Sequence, residues 1–151
     1  MRFPIVTGAN LLRRKVMLPA DLEGELNILL IAFQRWQQSV IDTWVPFVRQ
    51  LEETNEGVSY YELPVIQRMN VLARTFINEG MRAGIPDRVA RERTVTLYVD
   101  KVTFRQALEL PHEDDIYILL VDRQGNALWK GEGAFTAEKG ESLAEAIRSR
   151  G

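Results

Sequence analysis

At 151 residues, with 46% apolar and 26% charged side chains, the chain has the length of a single domain, 1–151. Such a domain buries roughly 70% of the surface its unfolded form exposes. A formal charge of −2 gives no electrostatic reason to expect nucleic acid, and the absence of cysteine excludes disulfides, thiolate metal sites and cysteine nucleophiles together.

The opening, MRFPIVTGANLLRRKVML, lacks the continuous apolar core of a signal peptide. The longest uninterrupted apolar run, residues 28–33, is far shorter than the about 20 residues a membrane span needs. A soluble, cytoplasmic protein without a transmembrane segment is expected. Gly8 to Asn10 reads as a turn before a short strand at 14–18, and 19–24 as a loop. Residues 26–33 have a solid apolar core, the mark of a strand covered on both faces in a mainly parallel sheet. From Ser39 a helical period takes over, with Val40, Trp44, Phe47 or Val48, and Leu51 on one stripe. Pro46 inside that helix is expected to bend it.

Residues 58–63 are rich in Val and Tyr and predict the next strand. Pro64 suits a helix start, and Ile66, Met69, Leu72 (or Val71), Phe76 and Ile77 would continue a buried stripe to about Gly80. Residues 82–93 read as a charged connection containing Gly and Pro, 94–99 as a strand, and 103–108 as a short helix capped by Thr103 or Asp100. An apolar strand at 116–121, a turn at 122–126 and a partner at 127–130 form a hairpin, and a last helix runs from Thr136 through Arg148. Crossover helices imply parallel, right-handed connections. The expected fold class is α/β: a central mixed sheet with helices on both faces and an N-terminal strand extension.

Two blocks carry a resemblance. NILLIAFQRWQQSVIDTWVPFVRQL, residues 27–51, resembles a thioredoxin active-site segment: strand, turn, helix and a proline thirteen residues after Phe33. ILLVDRQGNALWKGEG, residues 118–133, is similar to the closing hairpin of thioredoxin- and peroxiredoxin-like proteins. The opening stretch through Phe33 looks like their amino-terminal segment as well. The resemblance implies a thioredoxin-like fold in which the two positions of the lost CxxC are Gln38 and Ile41, with Trp36 close before the first. It also places the lost cis-proline near Ile116, where a trans bond is expected because a cis non-proline peptide costs about 2.5–4 kcal/mol. Without a thiolate there is no thiol–disulfide exchange. A narrower resemblance rests on Arg105, Leu108, Tyr117, Leu119, Asp122, Gly125, Trp129, Gly131 and Gly133. These match the carboxy-terminal pattern of a mitochondrial assembly-chaperone family for the membrane sector of ATP synthase, a thioredoxin-fold family that acts without redox chemistry.

Candidate functional residues gather at the first turn. Arg35, Trp36, Gln37, Gln38 and Ser39 lie where a partner polypeptide would be held. A helix N-terminus there could also hold an anion, aided by Arg35; the plainer reading makes Ser39 an N-cap and the glutamines solvated. Ser39 as a nucleophile would need a base, and His112 lies in another loop. Trp44 belongs to the core. Arg82, Arg88, Arg91 and Arg93 either grip an acidic partner or phosphate, or form a solvated loop with weak surface pairs. Glu113, Asp114 and Asp115 beside His112 read as a surface loop, because consecutive residues cannot converge on one ion. No cofactor and no metal site is expected. The function read from these features is a redox-inactive, thioredoxin-like binding or assembly module with a protein partner. The alternatives are a cysteine-independent enzyme of peroxide or glutathione-related chemistry, and a small-molecule sensor.

Overall fold

The computed structural model describes residues 1–69, 71–85 and 87–150 and, of residues 71 and 84, the backbone alone. The strands are β1 (Val6–Asn10), β2 (Lys15–Leu18), β3 (Leu26–Ala32), β4 (Val58–Gln67), β5 (Val95–Val99), β6 (Tyr117–Asp122) and β7 (Ala127–Glu132). Between them lie a 3-10 turn (Arg35–Gln37), α1 (Gln38–Asp42), α2 (Val45–Thr54), α3 (Val71–Gly84), α4 (Arg88–Arg93), α5 (Lys101–Ala107) and, last, α6 (Ala137–Arg148). One mixed sheet runs β2-β1-β5-β4-β3-β6-β7. β3, β4 and β5 are mutually parallel, β6 returns antiparallel along β3, and β7 closes the hairpin. Alternate residues of β3 feed two cores. Leu29 and Ile31 join Leu63, Leu97, Phe104, Leu108 and Leu119; Ile28 and Leu30 join Trp44, Val48, Leu120, Leu143 and Ile147. The solid apolar run predicted for this strand is thus covered on both faces.

Three local readings need correction. Gly8 and Asn10 belong to strand β1, paired antiparallel with β2 and β5, and the turn falls at 11–14. Gly8 is there for close approach: a Cβ would stand 2.5 Å from the Thr96 carbonyl oxygen. Asn10 reaches forward into the turn, its Oδ1 accepting from the amides of Leu12 and Arg14. Pro64 does not start a helix. β4 continues through it to Gln67, pairing with β3 as far as Ala32↔Pro64 and with β5 from Val65↔Leu97. The missing N–H therefore falls where the strand's pairing passes from one neighbour to the other, which is where a sheet tolerates proline. Pro46 does not bend a continuous helix but opens a new one: it lies in the first turn of α2, where its N–H would have no partner in any case.

The segment after β4 departs most from expectation. Residues 82–93 are no open connection, since α3 extends to Gly84 and α4 follows, capped by Asp87 accepting from the Val89 amide. Of the stripe expected to be buried, Ile66 belongs to β4, Met69 and Ile77 are half-buried, and two members face out. Leu72 and Phe76 are 84% and 82% exposed. The opposite side of the helix meets the sheet instead: the Tyr98 hydroxyl donates to Asn78 Oδ1, and the Arg74 guanidinium lies 4.6 Å from the Tyr98 ring centroid. Val71, the alternative stripe position, lies outside the described side chains, and Pro86 outside the described residues.

Candidate partner-binding corner

The carboxyl end of β3, the 3-10 turn, α1, the start of α5 and the loop before β6 meet at one corner of the sheet. Gln37 is the staple. Wholly buried, its Oε1 accepts from the amides of Phe33 (2.8 Å) and Gln34 (3.1 Å) while its Nε2 donates to the Glu113 carbonyl (2.7 Å). Turn and loop are thereby locked together by one side chain with three satisfied bonds. Glu113 is the electrostatic hub. It pairs with Lys101 (3.3 Å) and Arg105 (3.5 Å) and accepts from Gln34 Nε2 (3.1 Å). Lys101 also donates to the Phe33 carbonyl (2.8 Å), so the end of β3 is held from α5 as well. Glu113 lies in the loop expected at the surface, but half-buried there: two cations reach it from a helix more than seven positions upstream, a relation that no local pattern carries.

Gln38 stands at the surface with its amide nitrogen between two carboxylates, donating to Glu62 Oε1 (2.9 Å) and Asp42 Oδ1 (3.0 Å). Ile41, one turn on, is core beside Trp44. Ile116 is fully buried and follows a trans peptide; among the described residues the cis bond is Leu18–Pro19. Its carbonyl accepts from the Gly133 amide, and the Gly133 carbonyl accepts from the indole of Trp44 (2.8 Å). Arg35 and Ser39 are exposed, and Trp36 is 60% exposed. Ser39 is not a cap; its hydroxyl donates back to the Trp36 carbonyl. Of the five candidate residues, then, four lie at the surface and Gln37 does not.

Three of the four arginines singled out in 82–93 are engaged by the fold itself. Arg82 donates to the Leu11 carbonyl, Arg91 to the carbonyls of Ile85 and Arg82, and Arg93 to the Tyr60 carbonyl while pairing with Glu52. Arg88 is exposed. A groove of about 350 Å³ lined by Asn10, Lys15, Asp21, Tyr61, Glu92 and Arg93 lies apart from the Trp36 corner and mixes both charge signs.

Glu62 is the unusual acid of the corner. Desolvation on β4 pushes its carboxyl above the usual 4.5, with Asp42 adding to the rise, against the Gln38 hydrogen bond and Arg49, which hold it down. The folded state then binds this proton more tightly than the unfolded chain does, so the Glu62 contribution weakens stability as pH rises from 4.5 through the raised value. Glu62→Gln is expected to flatten that part of the profile in thermal melts from pH 4 to 8. Parallel profiles for the two proteins would contradict it.

Sheet order, crossover helices and the closing hairpin define a thioredoxin-like protein. Solved structures with this fold align over nearly the whole chain. A pneumococcal exposed lipoprotein thioredoxin (Etrx1) from Streptococcus pneumoniae is 12% identical, covering 97% of this chain and 99% of that one at a TM-score of 0.61. The copper-bound ScoI of Arabidopsis thaliana is 12% identical, covering 99% of each at 0.60. A thioredoxin-like protein from Aeropyrum pernix is 14% identical, covering 96% and 89% at 0.54. At such identities the likeness shows the fold. No curated protein matches the chain significantly. The family described as ATP10 protein matches residues 1–149, and the chain belongs to it. Among the described residues no helix is long and apolar enough to cross a membrane.

Proposed function

We propose that this protein is a redox-inactive, thioredoxin-like assembly factor that holds a polypeptide partner at the Trp36 corner. The observation that carries the reading is the combination of a locked, cysteine-free corner with an exposed indole. Gln37 and Glu113 fix the backbone around it, and Trp36 projects with 60% of its surface free. A rigid aromatic on a fixed backbone is the usual anchor of a binding hot spot, because little conformational freedom is lost on docking. Gln38 and Ile41, the two positions of the lost CxxC, carry an amide and an alkane, and neither forms a thiolate. Membership of the ATP10 family supports an ATP synthase subunit as the partner. The outward face of α3, with Leu72 and Phe76, is consistent with a protein that works by contact.

Trp36→Ala is expected to weaken capture of ATP synthase subunits by the purified protein about tenfold, the ordinary loss for an aromatic anchor, with the melting temperature unchanged. Capture at the wild-type level would remove the partner from this corner. Insulin-reduction and peroxide-consumption assays are expected to stay at background, and turnover in either would favour an enzyme using the same cleft.

A further inference from the structure

The sheet has two outer edges, and they are finished differently. On β2 the outward backbone of Met17 is plugged: its amide donates to Asp21 Oδ2 (2.7 Å), and its carbonyl accepts from the Asp21 amide (2.8 Å). On β7 only the first residue is covered, where the Ala127 amide donates to the Met1 carbonyl. Beyond it the edge is open. The Gly133 amide donates to the Ile116 carbonyl, and the register pairs Ile118 with Gly131 and Leu119 with Lys130. Because antiparallel ladders alternate, Gly131 and Gly133 turn their amides toward β6, and Lys130 and Glu132 turn theirs away from it. No described group meets the outward N–H and C=O of these two residues. Natural sheets normally shield such an edge.

The side chains along this edge are self-complementary in one register. Two antiparallel copies of β7 related by a two-fold axis at Gly131 set Lys130 of one copy directly opposite Glu132 of the other, twice. Lys130 and Glu132 are both exposed; their contacts within the chain, Lys130 Nζ to the Glu109 carbonyl (3.1 Å) and Glu132 to His112 Nε2 (3.3 Å), are surface ones that pairing across the axis would exchange. The phase is right as well, since outward-facing residues meet outward-facing residues and can exchange both hydrogen bonds. Centring the axis on Lys130 or on Glu132 would instead place like charges face to face, which is unfavourable. Centring it on Trp129 would run the second strand into the lane that Met1 and Arg2 occupy beside Asn126 and Ala127. Gly131 keeps the crossing point flat: a Cβ there would stand 2.5 Å from the Trp129 ring, which lies over it.

The geometry points to a second copy of this chain as the occupant of the β7 edge, joined antiparallel about Gly131 into one continuous sheet across the dimer. The interface uses Lys130, Gly131 and Glu132, none of which belongs to the candidate partner residues Arg35 to Ser39, so each can fail without the other.

Sedimentation velocity on the purified protein tests it. The wild type is expected to reach twice the 17.3 kDa of one chain as concentration rises. Lys130→Glu sets Glu against Glu and Glu132→Lys sets Lys against Lys, so each single variant should raise the dimer dissociation constant about tenfold or more. The charge-swapped double variant should restore the dimer. An equimolar mixture of the two single variants should dimerise at concentrations where each alone is largely monomeric, because every cross-pair is then complementary. Circular dichroism melts control for folding. A wild type that stays monomeric, single variants that dimerise unchanged, or a double variant that remains monomeric would each overturn the proposal. So would a strand from elsewhere on the β7 edge, seen as amide-exchange protection of Lys130 and Glu132 that does not vary with protein concentration.

Discussion

Trp44→Ala is expected to lower the unfolding free energy by about 5 kcal/mol. Trp44 is fully buried at the junction of α1 and α2. Its ring meets Phe135 edge-on at 5.2 Å and Trp129 at 6.5 Å between centroids, and its indole N–H is spent on the Gly133 carbonyl. Truncating a buried tryptophan costs about 3–5 kcal/mol in lost transfer energy and cavity. Leaving the Gly133 carbonyl unpaired adds about 1–3 kcal/mol. Against a usual total of about 5–15 kcal/mol, such a loss brings the domain near the limit of folding. For a domain of this size the melting temperature should fall by about 10–20 °C. Trp44→Phe keeps most of the packing and forfeits the hydrogen bond, so about 2 kcal/mol should go. Urea midpoints for the two variants separate the contributions. A loss below about 2 kcal/mol for the alanine variant would mean that the site collapses around the deletion and that the α1–α2 junction is not pinned by Gly133.

Trp44 was legible in the sequence because it lies on a helical stripe that continues into Val48 and Leu51. β3, β5, β6, β7 and α6 were legible for similar reasons: solid or periodic apolar runs bounded by turn residues. The same logic misplaced Leu72 and Phe76, and the reason is instructive. A period of 3.6 identifies which side of a helix is apolar, but not whether the chain supplies anything to cover it. Tyr98 offers α3 a hydroxyl and a ring face, which suit Asn78 and Arg74 on the polar side of the helix, so that side turns inward. Pro64 misled for a different reason. Its position reads as a helix start, yet β4 exchanges pairing partners there and needs no donor at that point.

The candidate corner was legible in part. The exposed Trp36 follows from its place in a turn after a buried strand. Glu62, a lone charge inside an apolar strand, is a signal that VSYYELPV carries on its own. Glu113, Lys101 and Arg105 were not recoverable, since their convergence is made by the packing of α5 against the loop before β6. Gln37 and Gln38 show how little two neighbours of one type reveal: one is sealed inside with three bonds, the other lies on the surface between two carboxylates.

Gln37→Leu is expected to cost about 3 kcal/mol, although leucine is close in size and more apolar. The substitution strands the amides of Phe33 and Gln34 and the carbonyl of Glu113, three polar groups that pack too closely around the side chain to recover full hydration. The melting temperature should drop by about 6–12 °C. Amide exchange should speed selectively at Phe33 and Gln34, with β4 and β5 unaffected. Gln37→Glu gives the sharper test. Its carboxylate can still accept from Phe33 and Gln34, but it faces the Glu113 carbonyl with no proton to donate. Protonation restores the donor, so the folded state should hold that proton more tightly than the unfolded chain. Stability of this variant should then approach wild type at low pH and fall as pH rises from the ordinary glutamate value of 4.5 through the raised one. A Gln37→Glu profile that merely parallels wild type would show that the Glu113 carbonyl finds another donor, and that turn and loop are held together by Lys101 rather than by the buried amide.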